Sequence, residues 1–410
     1  MEDYMRKFLI LWAGELISSI GGGLTAFGLG VYVFRQTGSA GAMAIVNLLA
    51  FLPTLLLSAP AGVLADRYDR RTMMMLGDGL SAIGIIFILI CIFNGGAALW
   101  QICIGVFVSS VFSSLMEPAY KATVTDLLTA EEYTKANGLV GIAGSARYLI
   151  SPLIAGLLLA VTDIKVLLII DISTFVVTVL ATGYVKKGLK SKKKEVTENF
   201  FESFKAGWKA VTGNKGVFRL ILITSVLTCF MGVLQILSEP MILSFESSKT
   251  LGICETICAS GMLVSSLIIG IFGIKKHYKR TLMLALIGAG IAMSLFGIKE
   301  NVVIISIMGF LFFLMLPFAN TCLDYLARIN IDERMHGRAW GIIGLISQLG
   351  YVISYGFAGI IADGVSKAAG ISVGRGSAMI IIVSGILLAA TAVLVGFISI
   401  RETPVSSDNE

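Results

Sequence analysis

The chain has 410 residues, 56% of them hydrophobic and only 14% charged, where an average soluble domain carries about 25% charged residues. So little charge over so much apolar chain excludes an ordinary soluble fold and points to an integral membrane protein. Its formal net charge of +6 needs no nucleic-acid partner, because basic loops facing anionic lipid account for it.

A helix needs about 20 apolar residues to cross a hydrocarbon core. Runs of that kind fall at 8–34, 41–64, 73–94, 98–119, 136–160 and 165–185. After a polar interval come 217–242, 251–274, 281–298, 302–325, 338–362 and 377–400. The expected fold class is therefore all-α: twelve transmembrane helices in two pseudo-symmetric six-helix bundles. The domains follow as an N-terminal bundle over 1–185, a cytoplasmic linker over 186–216, a C-terminal bundle over 217–400 and a cytoplasmic tail over 401–410. The first run lacks a small-residue cleavage site, so it reads as a span rather than a secretory signal.

With the N-terminus inside, the inner segments collect 25 Lys and Arg residues and the outer loops six, Arg147 lying within a span. The positive-inside rule then predicts both termini in the cytoplasm.

Span one contains Glu15 about two turns in. A charge cluster, Asp66, Arg67, Asp69, Arg70 and Arg71, follows span two in GVLADRYDRR (62–71). A solvated turn explains Arg67 and Arg70 well, and Gly62 and Asp66 beside three arginines less well. Arg147 in span five lies about 16 Å along its helix from Ala136, at 1.5 Å per residue. That depth calls for water, a partner or a substrate. Span six brings Asp171, a second acid where charge is expensive. Burial favours the neutral acid and a nearby arginine the ionised one, so Glu15, Asp171 and Arg147 are the proton-coupling candidates. Glu239, near the outer end of span seven, and Glu117 and Asp324, near inner helix ends, are weaker ones.

In the linker, Phe201, Phe204, Trp208 and Val211 recur at helical spacing beside Lys205 and Lys209. An amphipathic helix on the inner membrane surface and a solvated linker both fit. Polar residues inside the spans, Asn47, Gln235, Asn320 and Gln348, mark a substrate cavity because buried amides need partners. Phe27, Phe112, Met116, Met231 and Met315 either line it or simply pack.

Six cysteines lie in apolar stretches without zinc spacing, and the two histidines, His277 and His336, fall in predicted loops. No metal site, catalytic centre or cofactor is expected, and no G-x-x-x-x-G-K-[ST] loop occurs to hold a nucleotide.

Shifting the chain by 203 residues aligns 136–156 with 339–359. Ala136, Gly138, Gly141, Tyr148, Ile150, Ser151, Ala155 and Gly156 then meet Ala339, Gly341, Gly344, Tyr351, Ile353, Ser354, Ala358 and Gly359. DRYDRRT (66–72) has a weaker echo in KKHYKRT (275–281). Both suggest two related halves around a central pathway.

Gly62, Asp66, Arg67, Arg70 and Arg71 resemble the signature loop of the major facilitator superfamily, with Asp69 in place of the usual glycine. The resemblance implies a cytoplasmic latch in which Asp66 engages the start of span eleven near Gly337-Arg338-Ala339. Leu11-Trp12, Gly14, Ser18 and Gly21 are similar to the macrolide-efflux and enterobactin-exporter branch. Pro118-Ala119, Ala136-Asn137, Asp171 with Phe175, and Gly337-Arg338 add to that likeness. Ser151, Pro152, Ala155 and Gly156 resemble an antiporter motif, Ser151 and Ala155 replacing two glycines; a packing kink is the plainer reading. Span four lacks the arginine that many drug–proton antiporters carry.

The resemblance implies a proton-driven exporter of a small amphiphilic compound, drug-, macrolide- or siderophore-like, working by alternating access. The expected setting is a bacterial plasma membrane, with lipid around a chain that functions as a monomer. An importer on the same fold and a non-transporting scaffold or sensor are the alternatives.

Overall fold

The computed structural model describes residues 2–186, 200–274, 276–332 and 335–397. Among them, twelve helices are long and apolar enough to cross a membrane, and no strand occurs. The chain divides into two units, Met1–Thr197 with Glu246–Thr256, and Glu198–Phe245 with Ile257–Glu410.

The first unit contains α1 (Glu2–Thr37), α2 (Ala40–Arg67), α3 (Arg70–Phe93), α4 (Leu99–Ser113), α5 (Met116–Leu127), α6 (Ala130–Leu149), α7 (Ser151–Val161) and α8 (Ile164–Lys186). Two of its predicted spans are broken. The fourth runs from Leu99 to Leu127 but interrupts at Ser114-Leu115, and the fifth interrupts at Ile150. Proline explains both: a prolyl ring clashes with the carbonyl four residues earlier. Pro118 therefore acts on Ser114, and Pro152 acts on Tyr148 beside the Ile150 break. The predicted end at 119 was eight residues short because the polar second half, α5, lowers the hydropathy that an apolar-run search relies on.

Short turns join the helices, and their caps are legible in the chain. Ser39 accepts the Ala42 amide, and Thr129 forms a reciprocal capping box with Glu132. Asp69 caps α3 by accepting from the Thr72 amide and hydroxyl. Burial pushes the Asp69 carboxyl up. The two Thr72 bonds and the charges of Arg71 and Lys186 outweigh that push and hold it below its ordinary 3.8. Asp69 thus supplies the helix cap of α3. Asp69→Ala should lower stability by about 1 kcal/mol, read as an earlier thermal unfolding in detergent. Because the folded-state value is depressed, this contribution is present above the unfolded value and disappears as the pH falls through the folded one.

The second unit contains α9 (Phe200–Gly213), α10 (Lys215–Leu243), α12 (Tyr278–Phe296), α13 (Val302–Ile329), α14 (His336–Ala369) and α15 (Val373–Gly396). Helix α11 (Ser248–Phe272) is divided, its residues to Thr256 grouping with the first unit. The linker helix is present as α9. Val211 is fully buried in a cluster with Val217, Ile221, Ala327 and Ala339, so α9 docks on its own unit. Trp208, Lys205 and Lys209 remain exposed, while the side chains of Phe201 and Phe204 lie outside the described residues, as do 187–199.

The 203-residue repeat has a packing counterpart. Ser151 and Ser354 are both buried, and each seats on a glycine of its unit's first long helix. A Cβ at Gly23 would collide with the Ser151 side chain, and a Cβ at Gly232 with that of Ser354. The matched Gly138/Gly141 and Gly341/Gly344 have nothing packed where a Cβ would stand. The loop echo is weaker but also local. Arg70 pairs with Asp126 at the end of α5, at 2.6 Å, whereas Tyr278 stacks on Tyr325 of α13 with ring centroids 3.8 Å apart. Each half ties the start of its third span to the end of its fourth, by charge in one and by aromatic stacking in the other.

Candidate proton and substrate site

Three helices of the first unit each carry an acid within the span. Glu15 lies on α1, Asp78 on α3 and Asp171 on α8. Asp78 and Asp171 are 4% and 1% exposed. One carboxylate oxygen of each, Glu15 Oε2, Asp78 Oδ2 and Asp171 Oδ1, is buried without a hydrogen-bond partner. The Thr25 and Thr174 hydroxyls face the Asp171 carboxylate.

Small residues make this arrangement possible. A Cβ on Gly21 would stand 2.5 Å from Thr174 Oγ1 and 2.8 Å from Asp171 Oδ1, and one on Gly14 would stand 3.3 Å from the Ala181 Cβ. The span-one pattern Trp12, Gly14, Ser18, Gly21 is therefore chiefly an α1–α8 packing pattern. Trp12 turns the other way, donating from Nε1 to Leu139 O at 2.6 Å.

Arg147 occupies the last turn of α6, where its charge complements the helix C-terminus. Its side chain is exposed, yet it lies within electrostatic reach of both Glu15 and Asp171. No ion pair holds it among the described residues. A cation within electrostatic reach of two acids can favour the ionised form of either one.

Ser151 donates to Ile20 O at 3.0 Å, tying the start of α7 to α1. The far side of α7 meets α11. A Cβ at Gly252 would overlap Pro152 O, and one at Gly156 would stand 2.7 Å from Ser248 O. Thr256 Oγ1 donates to Leu149 O at 3.0 Å, and Arg35 donates to Ser248 Oγ at 3.2 Å. Pro152 and Gly156 thus form the seat for the first part of α11, while Ser151 faces α1.

The signature loop is anchored within its own unit. Besides Asp126, Arg70 bonds Ala65 O at 3.2 Å and Ala122 O at 3.1 Å, and Arg71 is buried. Arg67 is exposed, and Gly62 has no atom within 4 Å of a notional Cβ. The side chains of Asp66 and Arg338 lie outside the described residues, and so does the predicted Asp66 latch.

In the second unit, polar groups of α10 and α14 meet in register. Tyr351 reaches Met231 Sδ and Tyr355 donates to Gln235 Oε1, each at 2.9 Å. Gln348 is half-buried, with a buried Oε1 that has no partner. Asn320 is exposed. Asn47 returns its amide to Met43 O of its own helix, at 3.1 Å. Phe27 and Met116 are buried and belong to the packing, not to a lining. A cavity of about 490 Å³ bounded by Tyr32, Arg35, Asp163 and Lys165 opens at the far end of α1, where Lys165 already pairs with Asp163.

Two acids escaped the sequence reading as candidates. Asp78 falls inside the predicted span 73–94 and Glu255 inside 251–274; the rule that selected Glu15 applies equally to them. All six cysteines are free thiols.

A family profile for the Major Facilitator Superfamily matches residues 11–354. The chain belongs to the major facilitator superfamily. It is 28% identical over 377 residues to macrolide efflux protein A of Streptococcus pyogenes, covering 88% of this chain and 92% of that protein. It is 22% identical over 361 residues to the multidrug efflux pump Tap of Mycobacterium tuberculosis, covering 84% and 83%. Among solved structures, the nucleoside transporter NupG superposes with a TM-score of 0.74 at 14% identity, over 96% of this chain and 100% of that one. This major facilitator is a multi-pass membrane transporter and not an enzyme.

Proposed function

We propose that this transporter exports a small amphiphilic compound, macrolide-like or siderophore-like, by alternating access and in exchange for protons. The observation that carries the coupling is the pair of acids inside the first unit, half-exposed Glu15 and buried Asp171, with Arg147 in reach of both. An acid that alternates between an apolar surrounding and a cation loads and releases a proton. The efflux proteins to which the chain is similar favour the outward direction. Gln235, Met231, Gln348 and Asn320 are the proposed contacts of the substrate, with Asn47 a weaker one. Gly62, Asp66, Arg67, Arg70 and Arg71 are the proposed gating loop, and Ser151, Pro152, Ala155 and Gly156 the proposed antiporter element. A monomer with both termini in the cytoplasm completes the reading.

The test is accumulation of macrolides, dyes and siderophores in cells with and without the protein, followed by flux in vesicles under an imposed pH gradient. Lower accumulation of one class, with flux that follows the gradient, is the expected result. Inward accumulation would make the chain an importer.

Arg147 separates three roles. Its guanidinium offers a planar fork that lysine lacks. Arg147→Lys is expected to retain more uphill transport than Arg147→Ala, because the role proposed is that of a point charge between two acids. Equal failure of both would indicate bidentate binding. Low protein levels in Arg147→Ala, restored by neutralising Glu15 or Asp171, would indicate a structural pair.

A further inference from the structure

We infer that Asp78 is a third proton-holding group, and that Glu15, Asp78 and Asp171 form one proton chain through the interior of the first bundle. The inference rests on the proton-coupled reading above and extends it to a residue and a route. Each acid comes from a different helix, and α8 packs on both α1 and α3. Asp78 lies within electrostatic reach of Glu15 and Asp171. The Asp78 side chain has no structural task to explain it: the nearby Ser81 hydroxyl bonds the Asp78 backbone carbonyl, at 2.8 Å, and not its carboxylate.

The surroundings supply too little positive charge. From α5, Tyr120 and Glu117 lie within electrostatic reach of Glu15, and Glu117 is itself paired with Lys121 at the exposed surface, at 2.6 Å. Arg147 on α6 reaches Glu15 and Asp171 and is not among the charges that act on Asp78. Helix α4 carries no charged side chain, and α2 has none before Asp66 and Arg67 at its end. On α3 itself, Arg71 stands about two turns away. Of the charges that act on the three acids, Arg147 is the one cation; this leaves a surplus of negative charge, and an unpaired carboxylate in an apolar interior is prohibitive. The surplus is therefore held as carboxylic acid, and Asp78, buried, with Oδ2 unpartnered and Arg147 not acting on it, is where a proton rests. A protonated carboxyl both donates and accepts, so it passes a proton between the half-exposed Glu15 and the buried Asp171. The proton then travels inside one bundle.

Infrared difference spectroscopy of the full-length protein in lipid vesicles, taken between acid and alkaline pH, reads protonated carboxyl groups directly. Asp78→Asn should remove one carboxylic-acid component and displace the pH at which the remaining acid bands titrate. In parallel vesicles, uphill transport should be lost and downhill exchange kept. Asp78→Glu, which restores an ionisable group, should recover both signals. A wild-type-like spectrum, or full uphill transport with an unchanged pH profile in Asp78→Asn, would overturn the inference. If Asp78→Asn is poorly folded, Asp78→Glu decides instead: a carboxylic-acid component that titrates with the Glu15 and Asp171 bands supports the chain, and one independent of them overturns it. Wild-type vesicles that lack gradient-driven flux but keep the Asp78 component would defeat proton antiport, while still placing the proton on Asp78.

Discussion

Glu15→Gln is expected to abolish uphill transport in vesicles while downhill substrate exchange continues at close to the normal rate. Glutamine keeps the size and the hydrogen-bonding shape of a neutral glutamic acid, so the α1–α8 packing around Gly14 and Gly21 is preserved. What it removes is the ability to ionise when Arg147 approaches. An exchange cycle needs no net proton movement, so it survives; accumulation against a gradient needs the proton, so it fails. Glu15 leads over Asp171 because it is half-exposed, whereas Asp171 is 1% exposed, and a carrier has to meet water at some point in the cycle. Uphill transport that keeps its normal pH dependence in Glu15→Gln would make Asp171 the carrier. The measurement is substrate flux under an imposed pH gradient, paired with counterflow in its absence.

The second large effect is expected at Gly252. In the observed conformation α7 and the first part of α11 approach so closely that a Cβ at Gly252 would overlap the Pro152 carbonyl. A backbone atom cannot rotate away as a side chain can, so Gly252→Val has to part the two segments. Overpacking of this kind costs about 1–3 kcal/mol. That cost falls only on conformations in which the segments meet, so the population moves toward those in which they do not, by roughly 5- to 150-fold. Crosslinking between cysteines placed at Leu159 and Ser247 should fall sharply, and transport should fall with it. Gly252→Ala is expected to show a smaller loss of both. Unchanged crosslinking in Gly252→Val would mean that α7 and α11 do not rely on this contact.

The membrane character, the number of spans and the family were legible in the amino-acid sequence alone. Each of these is written locally: apolar runs of sufficient length and a loop motif within ten residues. The 203-residue repeat was also legible, and its most informative pair, Ser151 and Ser354, marks two equivalent seats on Gly23 and Gly232. Tertiary structure decided what spacing along a chain does not encode. It brought Asp78 within electrostatic reach of Glu15 and Asp171 from three separate helices, turned Gly21 into clearance for a carboxylate, and placed Phe27 and Met116 in the packing. It also assigned the first part of α11 to the bundle whose α7 it touches. The reason is physical. A hydropathy pattern reports whether a helix can leave water, but within lipid every span passes that test. Which faces then meet is settled by close packing of small residues and by the few polar groups that must find one another.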